Sequence, residues 1–587
     1  MKTSGIKIYN QRSHGWNATR LYLSGGMMVV RVNLRVALCA LCGAGLALTL
    51  LWTQCAPPLA RPGSIIPNPL SERLPAPRDD IECFINGEYA VACRREHDEV
   101  YVPFSFIHKY FEIYGKITVA DGTEKFEWSH SYGKIYHPKK KYDPTGTFTT
   151  FENYNVEVRE RVKCISGIDG VPVSTQWDPK GFYYPTQIAQ YGLAHYSKNI
   201  TEPEPRIRII EDGEKHQEKW IVSQDASLVR EFDASIRANV IRFSTSDQMS
   251  SQVWLKVNIT QDFVISLDLL LKTNSSLTVV LQNKDRKETV YLHYVTSMQL
   301  IWAQEDHIYH GVGTEARWRR LTRDLVIDMQ KGWALLDRPK RKSPRNKFKI
   351  SSIILSGSGS LTNLSIRSSH HAAAVWAAAR WLAAQQRPRG GWPVPARRRV
   401  AAGLAELKPG WHSAMSQGHA ISLLSRAYHR SGDEAYLRAA RRALSLLHVP
   451  SHAGGVKAMW MDKYVWYEEY PTTPPLFVLN GFIYTLLGLY DLHITEGENS
   501  ISLAKKMFDD GMVSLKTLLP LFDTGSGSFY DLRHFTLGVS PNIARWDYHA
   551  THVNQLYLLA GLDDDPIILN TAKRWEGYMQ GKKAAHN

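Results

Sequence analysis

Two tyrosine-rich stretches carry the residue types that proton transfer on an anionic substrate requires. Trp466, Tyr467, Glu468, Glu469, Tyr470 and Pro471 form one; Tyr530, Asp531, Leu532, Arg533 and His534, continuing to Arg545, Trp546, Asp547, Tyr548 and His549, form the other. Each packs phenols, carboxylates and, in the second, arginine and imidazole into a few residues. A packed core avoids that mixture because every buried polar group needs a partner, whereas a site that moves protons requires it. Each residue also has a structural reading. Tyr470 before Pro471 could be a packing residue, and Glu468 with Glu469 a solvated helix start favoured by the helix dipole. Arg545 and Asp547 could form an ion pair, and His534, His549 and His552 could be hydrogen-bonded core residues.

The elements around these stretches change along the chain. From about residue 100 to 370, short β-branched and aromatic runs recur at hairpin intervals, at 264–270, 277–281 and 290–295, with turns at 273–275 and 283–285; the expected structure is antiparallel β. A basic run, RPKRKSPRNKFK at 338–349, interrupts it as a loop. Beyond about 370 the period becomes helical: Leu437, Ala440, Leu444 and Leu447 follow the capping candidates Ser431 and Asp433. Residues 477–492 are apolar nearly all round, as a helix buried on most sides would be. Alternation of such helices with one-sided ones predicts an (α/α) toroid.

At 587 residues the chain is long enough for several domains, and its net charge of +15 suits a polyanionic partner without choosing among nucleic acid, phospholipid and acidic polysaccharide. Residues 36–52 are uncharged and apolar over the length of a short membrane helix, and Arg20, Arg31 and Arg35 before them predict a cytosolic N-terminus. A cleaved signal peptide is the alternative. The expected organisation is a basic cytosolic tail at 1–35, an anchor at 36–52, a proline-rich stem at 53–82, a β-rich domain at 83–370 and an (α/α) catalytic domain at 371–587. Sequons at Asn199, Asn258, Asn274 and Asn363 agree with a luminal body. Cys55, Cys83, Cys93 and Cys164 are too few for a disulfide scaffold, with Cys83 and Cys93 a plausible local pair.

The stretches FENYNVEVRER at 151–161, GFYYPTQIAQYG at 181–192, WYEEYPTTPPLFVLNG at 466–481 and residues 530–555 closely resemble the D-glucuronyl C5-epimerase family. The resemblance runs from about Cys83 to Asn587. It implies a single-pass type II Golgi membrane protein, acting as a homodimer on the precursor polysaccharide of heparan sulfate and heparin, converting D-glucuronate to L-iduronate without an organic cofactor or nucleic acid. By position, Tyr470, Tyr548 and Glu469 match the proton-handling residues, with Tyr530 nearby. Asn480, Tyr484, Arg533, Asn542 and Arg545 match the substrate groove, and Tyr154, Arg159, Glu160, Arg161, Gln176, Tyr184 and Gln187 the part that closes over the sugar chain. The family's Lys-Leu-Gly-Glu substrate loop appears as Arg399, Val400, Ala401 and Ala402, which keeps a cation and loses the acid. A structural calcium is implied near Asn239 and Thr362, where threonine stands in place of a usual aspartate. The Ala- and Arg-rich run at 371–399 also departs from the family pattern.

Epimerisation removes the proton at C5, next to a carboxylate, and returns one to the other face. The substrate carboxylate must be neutralised first, for which Arg533 and Arg545 are the candidates. Two faces need two proton carriers, here Tyr548, with its pKa expected to fall beside Arg545 and His549, and Tyr470 with Glu469. A uronate lyase, which would use the same proton and then expel the C4 group, and a silent Golgi glycan-binding protein are the rival readings. A hydrolase is disfavoured because Glu469 and Asp547 lack the context of a spaced acid pair.

Overall fold

The computed structural model describes residues 79–85, 89–110, 113–120, 122–130, 133–214, 219–246, 251–285, 288–336 and 345–585. The expected tail, anchor and most of the stem lie outside the described residues. Among the described residues no helix is long and apolar enough to cross a membrane.

The chain divides at Pro103 into two units. In the first, Asp79–Ile85, Tyr89–Glu96 and Glu99–Tyr101 form an antiparallel sheet, in which Cys83 and Cys93 are joined by a disulfide. The second begins with a short helix, Phe104–Tyr110, and a hairpin of Ile113–Ala120 with Thr123–His130.

The β-rich middle is a sandwich of a six-stranded and a seven-stranded sheet. Alternation along Val253–Ile259 and Thr289–Val295 sends every second residue inward, so Val253, Leu255, Leu277, Leu281, Leu292 and Ile353 share one core. Three expected strands appear as Val264–Leu271, Ser276–Asn283 and Thr289–Val295. Only Thr289–Val295 with His307–Gly311 pairs in parallel among the described strands. Helix Leu325–Leu335 packs beneath, capped by Asp324, whose carboxylate accepts from Val326 N and Ile327 N.

The C-terminal region is helical, as expected. Asp433 caps Glu434–His448, and Leu437, Ala440, Leu444 and Leu447 are buried, whereas Ser431 ends the helix before it. Helices Ala414–Ser431 and Leu479–Glu496 are buried on most sides. They cross through glycine: a Cβ on Gly488 would stand 2.4 Å from the Gly418 carbonyl oxygen, so any larger residue forces them apart. The core of this region also reaches back across residue 370. Helix Pro185–Thr201 packs on His371–Gln385 and Ala414–Ser431, and Phe148, Phe151, Val162 and Tyr191 join the helical core. The sandwich is thus inserted between two parts of the helical body. Arg323 ties the two, bonded to Asp328 and donating to the Ile165 and Ser166 carbonyl oxygens at 2.8 and 3.1 Å.

Candidate active site

Glu468 is the anchor of the first tyrosine stretch. Its backbone N–H donates to Val456 O at 2.7 Å, its carbonyl accepts from Ala414 N at 2.9 Å, and its buried carboxyl accepts from Phe477 N at 3.0 Å. It is therefore a structural carboxyl and not a solvated helix start; burial pushes its pKa up to about 8. With Glu468 fixed, Glu469 and Tyr470 follow it directly, both buried. Tyr530 is fixed by two backbone bonds, its N–H to Asn542 O at 2.7 Å and its carbonyl from Leu479 N at 3.1 Å. Tyr548 stands in the first turn of Trp546–Leu559, where Asp547 suits the positive end of the helix.

These elements gather five phenols about one carboxyl. Glu469 bears electrostatically on Tyr184, Tyr470, Tyr484, Tyr530 and Tyr548. The Tyr530 and Tyr548 ring centroids lie 4.9 Å apart, edge to face. Burial pushes the Glu469 carboxyl up to about 7, against the Tyr470 hydrogen bond and Arg398, both of which favour its charged form. Burial and the Glu469 charge push Tyr470 and Tyr530 well above the ordinary phenol value. Tyr548 is also raised, by burial, Glu469 and Asp547, so the expected lowering by Arg545 and His549 is overturned; Arg161 opposes the rise more than Arg545 does. Room for Glu469 is made by Gly481, where a Cβ would stand 2.5 Å from Oε2.

The cations differ from the expected set. Arg533 is engaged by buried Asp531 through bonds of 2.8, 3.0 and 2.6 Å, and Asn542 donates to the same carboxylate at 2.8 Å. Arg545 lies over the Tyr548 ring and pairs with Asp547 at 3.0 Å. Arg398 instead lies over Trp177 at 5.0 Å and Tyr470 at 5.8 Å, while Arg399 is exposed. The reason is local: Arg398 bridges Leu407 in extended backbone, where successive side chains point to opposite sides. Arg159 lies 3.9 Å from the Tyr154 ring centroid, and Arg161 bears on Tyr154, Tyr184 and Tyr548. Replacing Arg398 by alanine is expected to raise KM for the glycan about tenfold or more, as loss of a charge-assisted contact does, with Arg399→Ala near wild type; steady-state kinetics on both variants check this, and equal effects would return the role to Arg399.

Residues 385–577 match the family described as D-glucuronyl C5-epimerase C-terminus, and residues 237–358 the one described as D-glucuronyl C5-epimerase, beta-sandwich domain. The D-glucuronyl C5-epimerase of Caenorhabditis elegans is 38% identical over 556 residues, covering 86% of this chain and 89% of its own. This chain belongs to the D-glucuronyl C5-epimerase family. An uncharacterised protein, MJ1128 of Methanocaldococcus jannaschii, is 33% identical over 178 residues, 29% of this chain and 54% of its own. A mutant carbohydrate binding module of family 29 aligns with 29% of this chain and 96% of its own at 9% identity, with a TM-score of 0.17.

For a C5-epimerase, the remaining groove positions divide into two groups. Tyr484 contacts His419 at 4.5 Å and bears on Tyr154 and Arg159, and Tyr154 donates to Gln190 at 3.4 Å. Gln187 and Asn480 are buried with side-chain oxygens that no donor meets, Asn480 lying in the first turn of Leu479–Glu496. Glu160 is exposed, and Gln176 is half-buried in the turn after Pro172–Ser174. His549 and His552 share buried Ser528 Oγ at 2.8 and 2.9 Å, so they are core residues. Trp177, Trp411 and Asp531 complete the walls of the site, with Trp411 5.9 Å from Tyr470; no feature of their sequence context distinguished Trp177 and Trp411 from core residues, whereas Asp531 stood in the second tyrosine-rich stretch without a role assigned to it. Away from this site, Thr362 Oγ1 donates to the Asp212 carbonyl at 3.0 Å, and Asn239 lies on the adjacent strand Ala238–Ser244. Oxygen donors suit a hard cation in kind, yet among the described residues no three His, Cys, Asp or Glu gather for a metal.

Proposed function

We propose that this epimerase converts D-glucuronate to L-iduronate units within the precursor polysaccharide of heparan sulfate and heparin. The observation that carries the mechanism is the Glu469 carboxyl, raised to about 7, among five phenols that hold their protons. At neutral pH a large fraction of Glu469 is ionised, and it is the group able to take up the C5 proton, directly or through Tyr470. Tyr548, from a different element, is the acid able to return a proton to the other face. Arg398, Arg159 and Arg161 offer cations to the uronate carboxylate, whose neutralisation lowers the cost of charge at C5. A lyase is less well served, because His549 and His552 are committed to Ser528.

Incubation of the detergent-solubilised chain with N-sulfated heparosan in D₂O, read by NMR, tests this. Deuterium at C5 and iduronate signals are the expected result; an ultraviolet-absorbing unsaturated product would make it a lyase. Tyr548→Phe is expected to cut C5 exchange by a factor of about 10²–10⁴, and near-normal exchange in a folded variant would remove Tyr548 from the mechanism.

The same reading includes an (α/α) toroid for the helical region, supported by alternation of buried and one-sided helices, and a type II Golgi anchor at residues 36–52. The sequon residues Asn258, Asn274 and Asn363 are exposed, which agrees with a luminal body. Protection of a C-terminal tag from protease in sealed Golgi vesicles tests that orientation, and light scattering tests the homodimer. Structural calcium near Asn239 and Thr362 belongs to this proposal too. Dialysis against EDTA is then expected to lower Tm, with recovery on adding calcium; an unchanged Tm would remove the ion.

A further inference from the structure

A cavity of about 470 Å³ lies between the sandwich and helix His371–Gln385. It is outside the phenol cluster. Alanine makes it: Ala373, Ala374, Ala377 and Ala384 lie along the helix face turned towards the turn at 166–170 and strand Arg319–Asp324, and such short side chains leave the gap unfilled. Trp376 and Trp381, both half-buried, and Tyr191 add aromatic walls. The cavity backs onto the segment that positions Tyr184. Neighbouring Tyr183 contacts Trp381 at 5.7 Å and donates to Asp169, a lining residue, at 2.5 Å.

The charges of this cavity are mostly spent in pairs. Arg323 closes on Asp328 at 2.5 Å, Arg320 on Asp268 at 2.5 Å, and Asp324 on Arg345. A lining so balanced has little excess cation with which to hold a sulfate or a uronate. What is left suits hydroxyls. Glu157 lines the cavity, 8% exposed, with its Oε2 3.7 Å from the His195 ring nitrogen Nε2. Arg380 and Gln385 are exposed along the lining. The volume falls in the range of small-ligand sites, and aromatic walls with a few polar groups are what the apolar faces and hydroxyls of a sugar ring meet.

We propose that this cavity binds an uncharged hexose or N-acetylhexosamine unit of a glycan, apart from the proton-transfer site. The proposal does not rest on the epimerase chemistry. Saturation-transfer NMR and calorimetry on the full chain in detergent, with triacetylchitotriose and maltotriose as probes, test it. Wild type is expected to bind at least one probe. Ala373→Leu, which fills the gap, is expected to weaken binding at least tenfold with Tm unchanged or raised, as cavity-filling substitutions commonly do. Trp381→Ala should weaken it similarly, and Tyr548→Phe should leave it intact. Failure of wild type to bind either probe, intact binding in Ala373→Leu, or loss in Tyr548→Phe would each overturn the proposal. Competition by an unsulfated heparosan octasaccharide assigns the unit to the polymer; its absence assigns it to a different glycan.

Discussion

Glu469→Gln is expected to lower kcat by a factor of about 10²–10⁴, the usual worth of a positioned acid or base. Glutamine keeps the shape beside Gly481 and removes the titration. In wild type, burial holds this carboxyl near 7, so below that pH it carries a proton and cannot accept one. Activity should therefore rise as pH increases through about 7, and that limb should vanish in the variant. Stability moves the other way. The native carboxyl still holds its proton between the ordinary value of 4.5 and about 7, where the unfolded one has lost it, so stability falls as pH rises across that window. Glu469→Gln should make this fall shallower and leave the part owed to Glu468, whose buried carboxyl is raised to about 8. A pH–rate profile with denaturant titrations at pH 5 and 8 checks both, and an unchanged low-pH limb would mean that another group sets it.

The second large effect lies in the helical core. Arg426 and Asp491 are fully buried and 2.6 Å apart, on helices Ala414–Ser431 and Leu479–Glu496, with Tyr142 donating to Asp491 and accepting from Arg426, both at 3.0 Å. Asp491→Ala leaves a guanidinium sealed from water without its counterion, and the expected cost is about 3–5 kcal/mol. Arg426→Met combined with Asp491→Leu removes both charges and should cost much less, because no ion remains to desolvate. Urea midpoints of the two variants decide it; equal losses would show that packing, and not the uncompensated charge, dominates. Since the same helix carries Asn480, Gly481 and Tyr484, the single variant should lose activity with stability.

The strands and helices were legible where periodicity was strong. The β-branched and aromatic runs at 264–270, 277–281 and 290–295 recur at hairpin intervals and became strands, and the spacing of Leu437, Ala440, Leu444 and Leu447 reports one helix face directly. The phenols were legible as well, because Tyr470, Tyr530 and Tyr548 sit in stretches too polar for a core. Their partners were not. Whether Arg398 or Arg399 faces the cleft depends on the parity of an extended segment, set by its bridge to Leu407. Arg533 looks free in sequence because the bidentate grip of Asp531, two residues away, is a matter of side-chain geometry. The sign of the Tyr548 shift was missed for a related reason: adjacency to a cation is visible in sequence, whereas burial is a property of the whole fold.

The insertion of the sandwich into the helical body sets the order in which the chain can mature. Helix Pro185–Thr201 is made early, but the helices it packs against begin at His371 and Ala414, after the whole sandwich has been synthesised. During translation its apolar face has no native partner, and contacts of such long sequence separation form slowly. The sandwich encloses its own core and can close first. A chain cut short just after residue 370 would thus contain a finished sandwich flanked by an exposed helix, a species suited to capture by chaperones and to removal by quality control.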